Sequence, residues 1–182
     1  MIKGKRTILR SAEPSDARSI YEWLVASDLT SSMMGPPLFP EVALPSWEQF
    51  CSDYGPHFFD GTKSDVGRCY IVEVEGVAVG QINYDGLDST RRCAELDIWM
   101  RSSQYCGKGF GSEAIDSLVA FLQSEYQVRE FVLRPSQRNP RAIRAYERAG
   151  FTQLRISRDE QTRIYGKGDY SDDVLMIRIG TV

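Results

Sequence analysis

Nine residues, Gln104-Tyr-Cys-Gly-Lys-Gly-Phe-Gly-Ser112, stand between an apolar run and a helical one, and they restrict the folds open to this chain. Ala94–Met100 (AELDIWM) reads as a strand. Ser112–Gln123 (SEAIDSLVAFLQ) carries apolar residues at 115, 118, 119 and 122, the spacing of one helix face. A strand, a glycine-rich turn and a helix start together make an anion site. Glycine lets the backbone come close, the first helical N–H groups point outward, and the helix dipole favours negative charge. Two familiar phosphate loops fail on spacing. The P-loop needs four residues between its first glycine and Gly-Lys-Ser/Thr, whereas Lys108 is followed by Gly109. A dinucleotide turn needs G-x-G-x-x-G at the start of a βαβ unit, and Gly107-x-Gly109-x-Gly111 is both differently spaced and late in the chain. The same arrangement also arises for plain turn geometry.

At 182 residues the length suits one domain, 1–182, with a full core. The formal charge of −3 and the lack of a basic block argue against nucleic acid as a partner. Cys51, Cys69, Cys93 and Cys106 form no C-x-x-C pair, and His57 is the single histidine, so zinc spacing and a histidine-activated nucleophile are both absent. Free thiols in a reducing cytosol follow. No apolar run approaches the ~18 residues of a membrane span, and the N-terminus lacks the apolar stretch of a signal peptide. The expectation is a soluble cytoplasmic protein, a monomer or homodimer, with no metal and no membrane partner.

Along the chain, Thr7–Arg10 reads as a first strand. Pro14 opens a helix that puts Ile20, Trp23 and Leu24 on one face. Met33–Pro45, with Gly35, Pro36, Pro37, Pro40 and Pro45, is excluded from regular helix or central strand. A second helix starts near Ser46 with Trp47, Phe50 and Tyr54 as its apolar side, and Gly55–Gly67 reads as loop. Cys69–Glu75 and Val77–Tyr84 flank Glu75-Gly76 as a hairpin, and Arg91–Met100 completes an antiparallel meander. Strand Glu130–Arg134 follows the helix after the glycine loop, a crossover that implies a parallel neighbour. Phe151 to about Ser157 reads as a strand, then a polar loop, then Val174–Ile179 as the last strand. These elements imply a mixed α+β fold: one twisted, mostly antiparallel sheet of six to seven strands with a parallel splayed pair, flanked by about four helices.

The pattern Gln104-x-x-Gly107-x-Gly109-x-Gly111 after a strand resembles the acetyl-CoA loop of the GNAT acetyltransferases, Arg/Gln-x-x-Gly-x-Gly/Ala. A second run, Asn139-Pro-Arg-Ala-Ile-Arg-Ala-Tyr146-Glu-Arg-Ala-Gly150-Phe151, looks like that family's next helix, Asn-x-x-Ala-x-x-x-Tyr-x-x-x-Gly-Phe. The resemblance covers roughly Ile71–Phe151 well and the two ends loosely. It implies the GNAT fold and acetyl transfer from acetyl-CoA to a primary amine, directly in a ternary complex.

By that resemblance, backbone N–H groups across Cys106, Gly107, Lys108, Gly109, Phe110, Gly111 and Ser112 hold the pyrophosphate, after Gln104. The main chain at Ile98, Trp99 and Met100 pairs with the pantetheine amides, one N–H polarising the thioester carbonyl. Asn139 and Ala142 line the pantetheine arm, and Tyr146 stands where the family's general acid lies near sulfur. A phenol, with an ordinary pKa of about 10, keeps its proton at neutral pH. Each residue has a plainer reading: Lys108 as a solvated cation, Asn139 as the cap of a helix entered at Pro140, Tyr146 as an aromatic packed on the sheet. Alternation along AELDIWM puts Glu95, Asp97 and Trp99 on one face, and two acids spaced by two suit base catalysis, directly or through water. The plainer reading is a solvent-facing acidic pair. Asp97–Ser112 lines up with aminoglycoside 6′-N-acetyltransferases, in which an aspartate at this point binds and activates the amine, so Asp97 is the first candidate base and Glu95 the second. Those enzymes carry an Asp before the proline where this chain has Arg134-Pro135. Arg-Arg-Cys-Ala-Glu95 and Gly168-Asp-Tyr170-Ser-Asp172 look more like the protein-N-terminus and polyamine branch. The acceptor is expected to be a small aminoglycoside-like or polyamine-like amine. The alternatives are a protein N-terminus and a non-catalytic acyl-CoA-binding module. The early aromatics border the acceptor pocket by the same resemblance, against a plainer reading as core.

Overall fold

The computed structural model describes residues 1–34, 43–88, 90–168 and 172–180. Among these, eight strands form one sheet in the order β1-β2-β3-β4-β5-β6-β8-β7. They are β1 (Ile2–Lys3), β2 (Thr7–Ser11), β3 (Arg68–Val74), β4 (Val77–Asp88), β5 (Cys93–Met100), β6 (Glu130–Leu133), β7 (Thr152–Gln153) and β8 (Met176–Ile179). Seven helices accompany them: α1 (Ala17–Ala26), α2 (Thr30–Met33), α3 (Trp47–Asp53), α4 (His57–Asp60), α5 (Phe110–Tyr126), α6 (Pro140–Arg148) and α7 (Arg158–Tyr165). Every pairing is antiparallel except β5 with β6, as the crossover through α5 requires. The mixed α+β expectation holds. The eighth strand is β1, two residues paired with β2 and too short to show a pattern in sequence.

The meander closes at Glu75 and Gly76, both with positive φ (52° and 77°), the backbone of a tight hairpin turn. Sheet alternation then sorts the core. Leu9, Val72, Ile82, Leu96 and Met100 face α5, which contributes Ala114, Ile115, Leu118, Val119 and Leu122. On the opposite face Cys69, Ile71 and Trp99 pack under α1, α3 and α4 through Ile20, Phe50, Phe58 and Phe59. Burying each such large apolar side chain contributes about 1.5–3 kcal/mol. Ser46 caps α3: its hydroxyl accepts from the Gln49 N–H (3.2 Å), and its own N–H donates to Gln49 Oε1 (2.7 Å).

Three local expectations are corrected. Gly55–Gly67 is not all loop, because one turn of α4 seats Phe58 and Phe59 in the core. Phe151–Ser157 is not one strand. Only Thr152–Gln153 pairs with β8, after which Leu154 and Ile156 turn onto a small cluster with Cys93, Val132 and Leu175. The polar loop that follows is α7, capped by Ser157, whose hydroxyl accepts from the Glu160 N–H (3.2 Å). Ser157-x-x-Glu160 is a helix-start signature, masked in sequence by the missing apolar period. The prolines of the 35–42 stretch lie outside the described residues.

α5 starts at Phe110, two residues before the expected Ser112, and its first turn is tied to β2. The Glu113 carboxylate accepts from the N–H groups of Arg6 (2.5 Å) and Thr7 (2.8 Å) and from the Thr7 hydroxyl (3.0 Å), with the Arg6 Nε at 3.2 Å. Burial opposes ionisation, but these donors outweigh it and hold the carboxyl at about 2, against an ordinary 4.5. The stability this provides is present above about pH 4.5 and is lost as pH falls toward 2, at most about 3 kcal/mol. Urea unfolding of Glu113→Gln across that range should show lower stability at pH 7 and a shallower acid limb than the parent. An unchanged limb would remove this role from Glu113.

Candidate acetyl-transfer site

The site begins where two strands part. β5 pairs with β6 only over Cys93↔Glu130, Ala94↔Phe131 and Glu95↔Val132. Beyond Val132 the chain follows β8 instead, pairing Leu133 with Met176 and carrying on through Pro135, whose carbonyl accepts from the Val174 N–H (2.8 Å). From Leu96 to Met100 the β6-facing edge of β5 is therefore unpaired with β6, and its backbone groups border an opening.

One 3-10 turn, Ser103–Tyr105, leads from β5 into the glycine loop. Gly107 and Gly109 sit at φ 75° and 85°, where a side chain is strained, and a Cβ at Gly109 would lie 3.0 Å from an Arg6 guanidinium nitrogen. Glu113 N–H donates to the Gly109 carbonyl (3.0 Å), so the N–H groups of residues 110–112 have no partner within α5. Gly107, Gly109, Gly111 and Ser112 line a cavity of about 340 Å³ whose apolar wall includes Ile98, Met100 and Ile115 and whose cations are Arg141 and Arg148. Bare helix-start N–H groups, with the Arg141 guanidinium beside Gly107, at one end of a largely apolar cleft fit a molecule that is anionic at one end and more apolar at the other.

A second cavity of about 700 Å³ shares Ser32, Met33, Ile98, Trp99, Asn139, Ala142 and Tyr146 with the first. Its own wall includes Tyr54, Glu95, Asp97 and Arg134. Tyr146, seven residues after Asn139, thus stands at the junction. Burial pushes its phenol up, and the charge of Asp97 adds to the shift, so it stays protonated through the neutral range. The Asn139 Oδ1 accepts from the Ala142 N–H (3.1 Å), capping α6, while Nδ2 donates to the Ser32 carbonyl (3.3 Å) and ties α6 to α2. Asp97 is exposed at the second cavity and accepts from the Tyr54 hydroxyl (3.3 Å). Glu95 is placed differently: the Arg134 guanidinium grips it through Nε (2.7 Å) and a shorter second contact.

Of the residues named from sequence, Ile98, Trp99, Met100, Cys106, Gly107, Gly109, Gly111, Ser112, Asn139, Ala142 and Tyr146 line the first cavity, and Glu95 and Asp97 the second. Gln104, Lys108 and Phe110 line neither. Gln104 and Lys108 are exposed, and Phe110 packs on the core beneath the Arg6 guanidinium, 5.1 Å from its ring centre. Among the described residues only Tyr54 of the early aromatics reaches the cavity, since Phe50 is core and Trp47 stacks on it with ring centres 5.6 Å apart. Sequence reasoning passed over α2, which contributes Ser32 and Met33 to both cavities, as well as Arg141, Arg148 and Asp53. For Arg141 and Arg148 a signal existed: with Ala145 they recur at helix spacing along α6. Cys106 lines the first cavity, but burial pushes its thiol up while Arg141 pulls the other way, which leaves a protonated, poorly nucleophilic group.

A glycine loop with bare helix-start N–H groups, a largely apolar cleft and a second cavity joined at a phenol fit an acyltransferase. Residues 6–152 match the family model of the acetyltransferase (GNAT) domain. The chain belongs to that acetyltransferase family. It is 28% identical over 153 residues to an aminoglycoside N(6′)-acetyltransferase type 1 of Klebsiella pneumoniae, spanning 79% of this chain and 72% of that one. Among solved structures, it is similar to spermidine N-acetyltransferase from Vibrio cholerae in complex with CoA and spermine, with TM-score 0.71, 21% identity, and 96% and 95% of the two chains covered. It is equally similar to AAC(6′)-Ib in complex with ribostamycin and coenzyme A, with TM-score 0.71, 23% identity, and 96% and 94% covered. Among the described residues no helix is long and apolar enough to cross a membrane.

If the glycine loop receives the pyrophosphate, Gly109→Val should weaken acetyl-CoA binding by well over tenfold, because it adds bulk beside Arg6 and strains a φ of 85°. Calorimetry on the folded variant checks this, and unchanged affinity would remove the assignment.

Proposed function

We propose that the protein acetylates a small primary amine of the aminoglycoside or polyamine kind, directly in a ternary complex, with the whole chain acting as one cytoplasmic domain. The junction of the two cavities at Tyr146, with Asp97 on the far side, carries this reading. The acceptors named for the aminoglycoside and spermidine relatives support the choice of amine. When bound, acetyl-CoA supplies the acetyl group and a thiol leaving group. Asp97, oriented by the Tyr54 hydroxyl, takes a proton from the ammonium and frees its lone pair. The unpaired edge of β5 offers the N–H groups of Ile98 and Met100 to the thioester oxygen, while the Trp99 N–H faces β4. As the N–C bond forms and the C–S bond breaks, Tyr146 gives its proton to the departing sulfur, and the new amide nitrogen returns its surplus proton to the phenolate. Asn139 and Ala142 hold the carrier's arm at the junction.

Initial velocities measured against both substrates should give intersecting lines, and Cys106→Ala should retain turnover. Parallel lines, with a Cys106→Ala protein that binds acetyl-CoA but does not turn over, would replace direct transfer with an acetyl-enzyme.

A further inference from the structure

A polar row crosses the sheet at Asp97. Asn83 on β4 stands directly opposite Cys69 on β3 and Asp97 on β5, so the three side chains share the sheet face covered by α1, α3 and α4. Directly opposite residues have Cβ atoms about 5 Å apart, within reach of an amide and a carboxylate. Asn83 is only 5% exposed, and its Oδ1 has no hydrogen-bond partner among the described residues. A buried amide left in that state destabilises a fold, which an apolar side chain of similar volume would not do. Its two neighbours differ in what they offer. The Cys69 thiol is turned aside: it donates to Gln81 Oε1 (3.3 Å), and burial pushes it up, so it keeps its proton. Asp97 offers a carboxylate, approached from the end of α3 by the Tyr54 hydroxyl (3.3 Å). A carboxylate has about four acceptor sites, so a further donor displaces nothing. A half-turn of the Asn83 amide exchanges its oxygen and nitrogen and presents an N–H to that carboxylate from the strand side.

We infer that Asn83 is the positioning residue of the catalytic base. Its amide N–H, turned toward β5, holds the Asp97 carboxylate from the sheet while Tyr54 holds it from α3, and the carboxylate is thereby aimed at the amine. Asn83 lines neither cavity, so it acts through Asp97 and not on either substrate. This inference rests on the base role proposed above for Asp97 and deepens it.

Asn83→Val and Asn83→Thr form a matched pair: both suit a strand and fill nearly the same space, and only threonine keeps a donor. Ribostamycin and spermidine serve as acceptor probes. Asn83→Val should lower kcat/KM about thirtyfold, the size of one hydrogen bond to a charged group, and Asn83→Thr should recover most of that loss. Acetyl-CoA affinity should stay parental in both, and the thermal midpoint of Asn83→Val should be parental or higher, a combination that a merely structural amide would not give. In an Asp97→Asn background, Asn83→Val should lower kcat/KM by less than about a further threefold, because the group it positions is gone. Should Asn83→Val fail to fold, Asn83→Ala and Asn83→Ser make the same comparison. Parental kcat/KM in Asn83→Val, equal losses in the valine and threonine variants, or an undiminished loss in the Asp97→Asn background overturns the role of Asn83 and leaves the amine reading intact. Parental turnover by Asp97→Asn alone removes the base role and this inference with it. No acetylation of either probe by the parent, with acetyl-CoA binding intact, overturns the amine reading itself.

Discussion

Asp97→Asn is expected to lower kcat/KM for the acceptor amine by about 10²-fold or more at neutral pH, with little change in acetyl-CoA affinity. The substitution keeps the shape of the side chain and an oxygen for the Tyr54 hydroxyl, so the local hydrogen bond survives. What is lost is the negative charge that attracts an ammonium and accepts its proton. The deficit should widen as pH is lowered from about 9 to about 6, because a larger share of the amine is then protonated and a base is needed more often. Asp97 lines only the acceptor cavity, so calorimetric titration with acetyl-CoA should give nearly the parental constant. Parental kcat/KM across that pH range would remove the base role from Asp97.

Tyr146→Phe should reduce kcat by about 10²-fold while the protein stays folded and binds acetyl-CoA almost as before. The ring's contact with Phe151, centres 6.4 Å apart, does not involve the hydroxyl. Burial and the neighbouring Asp97 charge keep the parental phenol protonated, which is the state a general acid must be in before each turnover. Single-turnover rates compared with binding constants for the two proteins check this. A variant with unchanged kcat would reduce Tyr146 to a packing residue.

Local spacing carried much of this site. The glycine loop and the Asn139–Phe151 run each lie within one stretch of chain, so the backbone geometry they demand is written in adjacent residues. Alternation along β5 also sorted its two faces: Leu96, Ile98 and Met100 turn toward α5, and Trp99 toward α3. Alternation made Glu95 and Asp97 equivalent, however, and they are not. The difference is Arg134, 39 residues away in sequence, brought to Glu95 by a parallel pairing that ends at Val132. Residues 30–33 were invisible for a similar reason. A four-residue helix has no period to detect, and its place over both cavities depends on the Asn139 amide and on Asp28, which accepts from the Ser103 N–H (2.9 Å). α7 shows no apolar stripe: Tyr165 joins the small cluster with Cys93 and Val132, while the Ile164 carbonyl and that of Gly166 just beyond the helix accept from Arg91 and Arg134. Gln104 and Lys108 show the converse. A motif position says that the backbone passes the site, and these side chains point elsewhere.

On this reading an acetyl group crosses from one cavity to an amine in the other. Incubating the purified protein with acetyl-CoA and a panel of aminoglycosides, polyamines, amino alcohols and N-terminal peptides, and reading products by mass spectrometry, tests it most directly. The expected result is an acetyl group added to the nitrogen of at least one small primary amine, with stoichiometric release of CoA thiol and no acetyl retained on the protein. Tight acetyl-CoA binding without an acetylated product across the panel, or acetyl retained on Cys106, would contradict it.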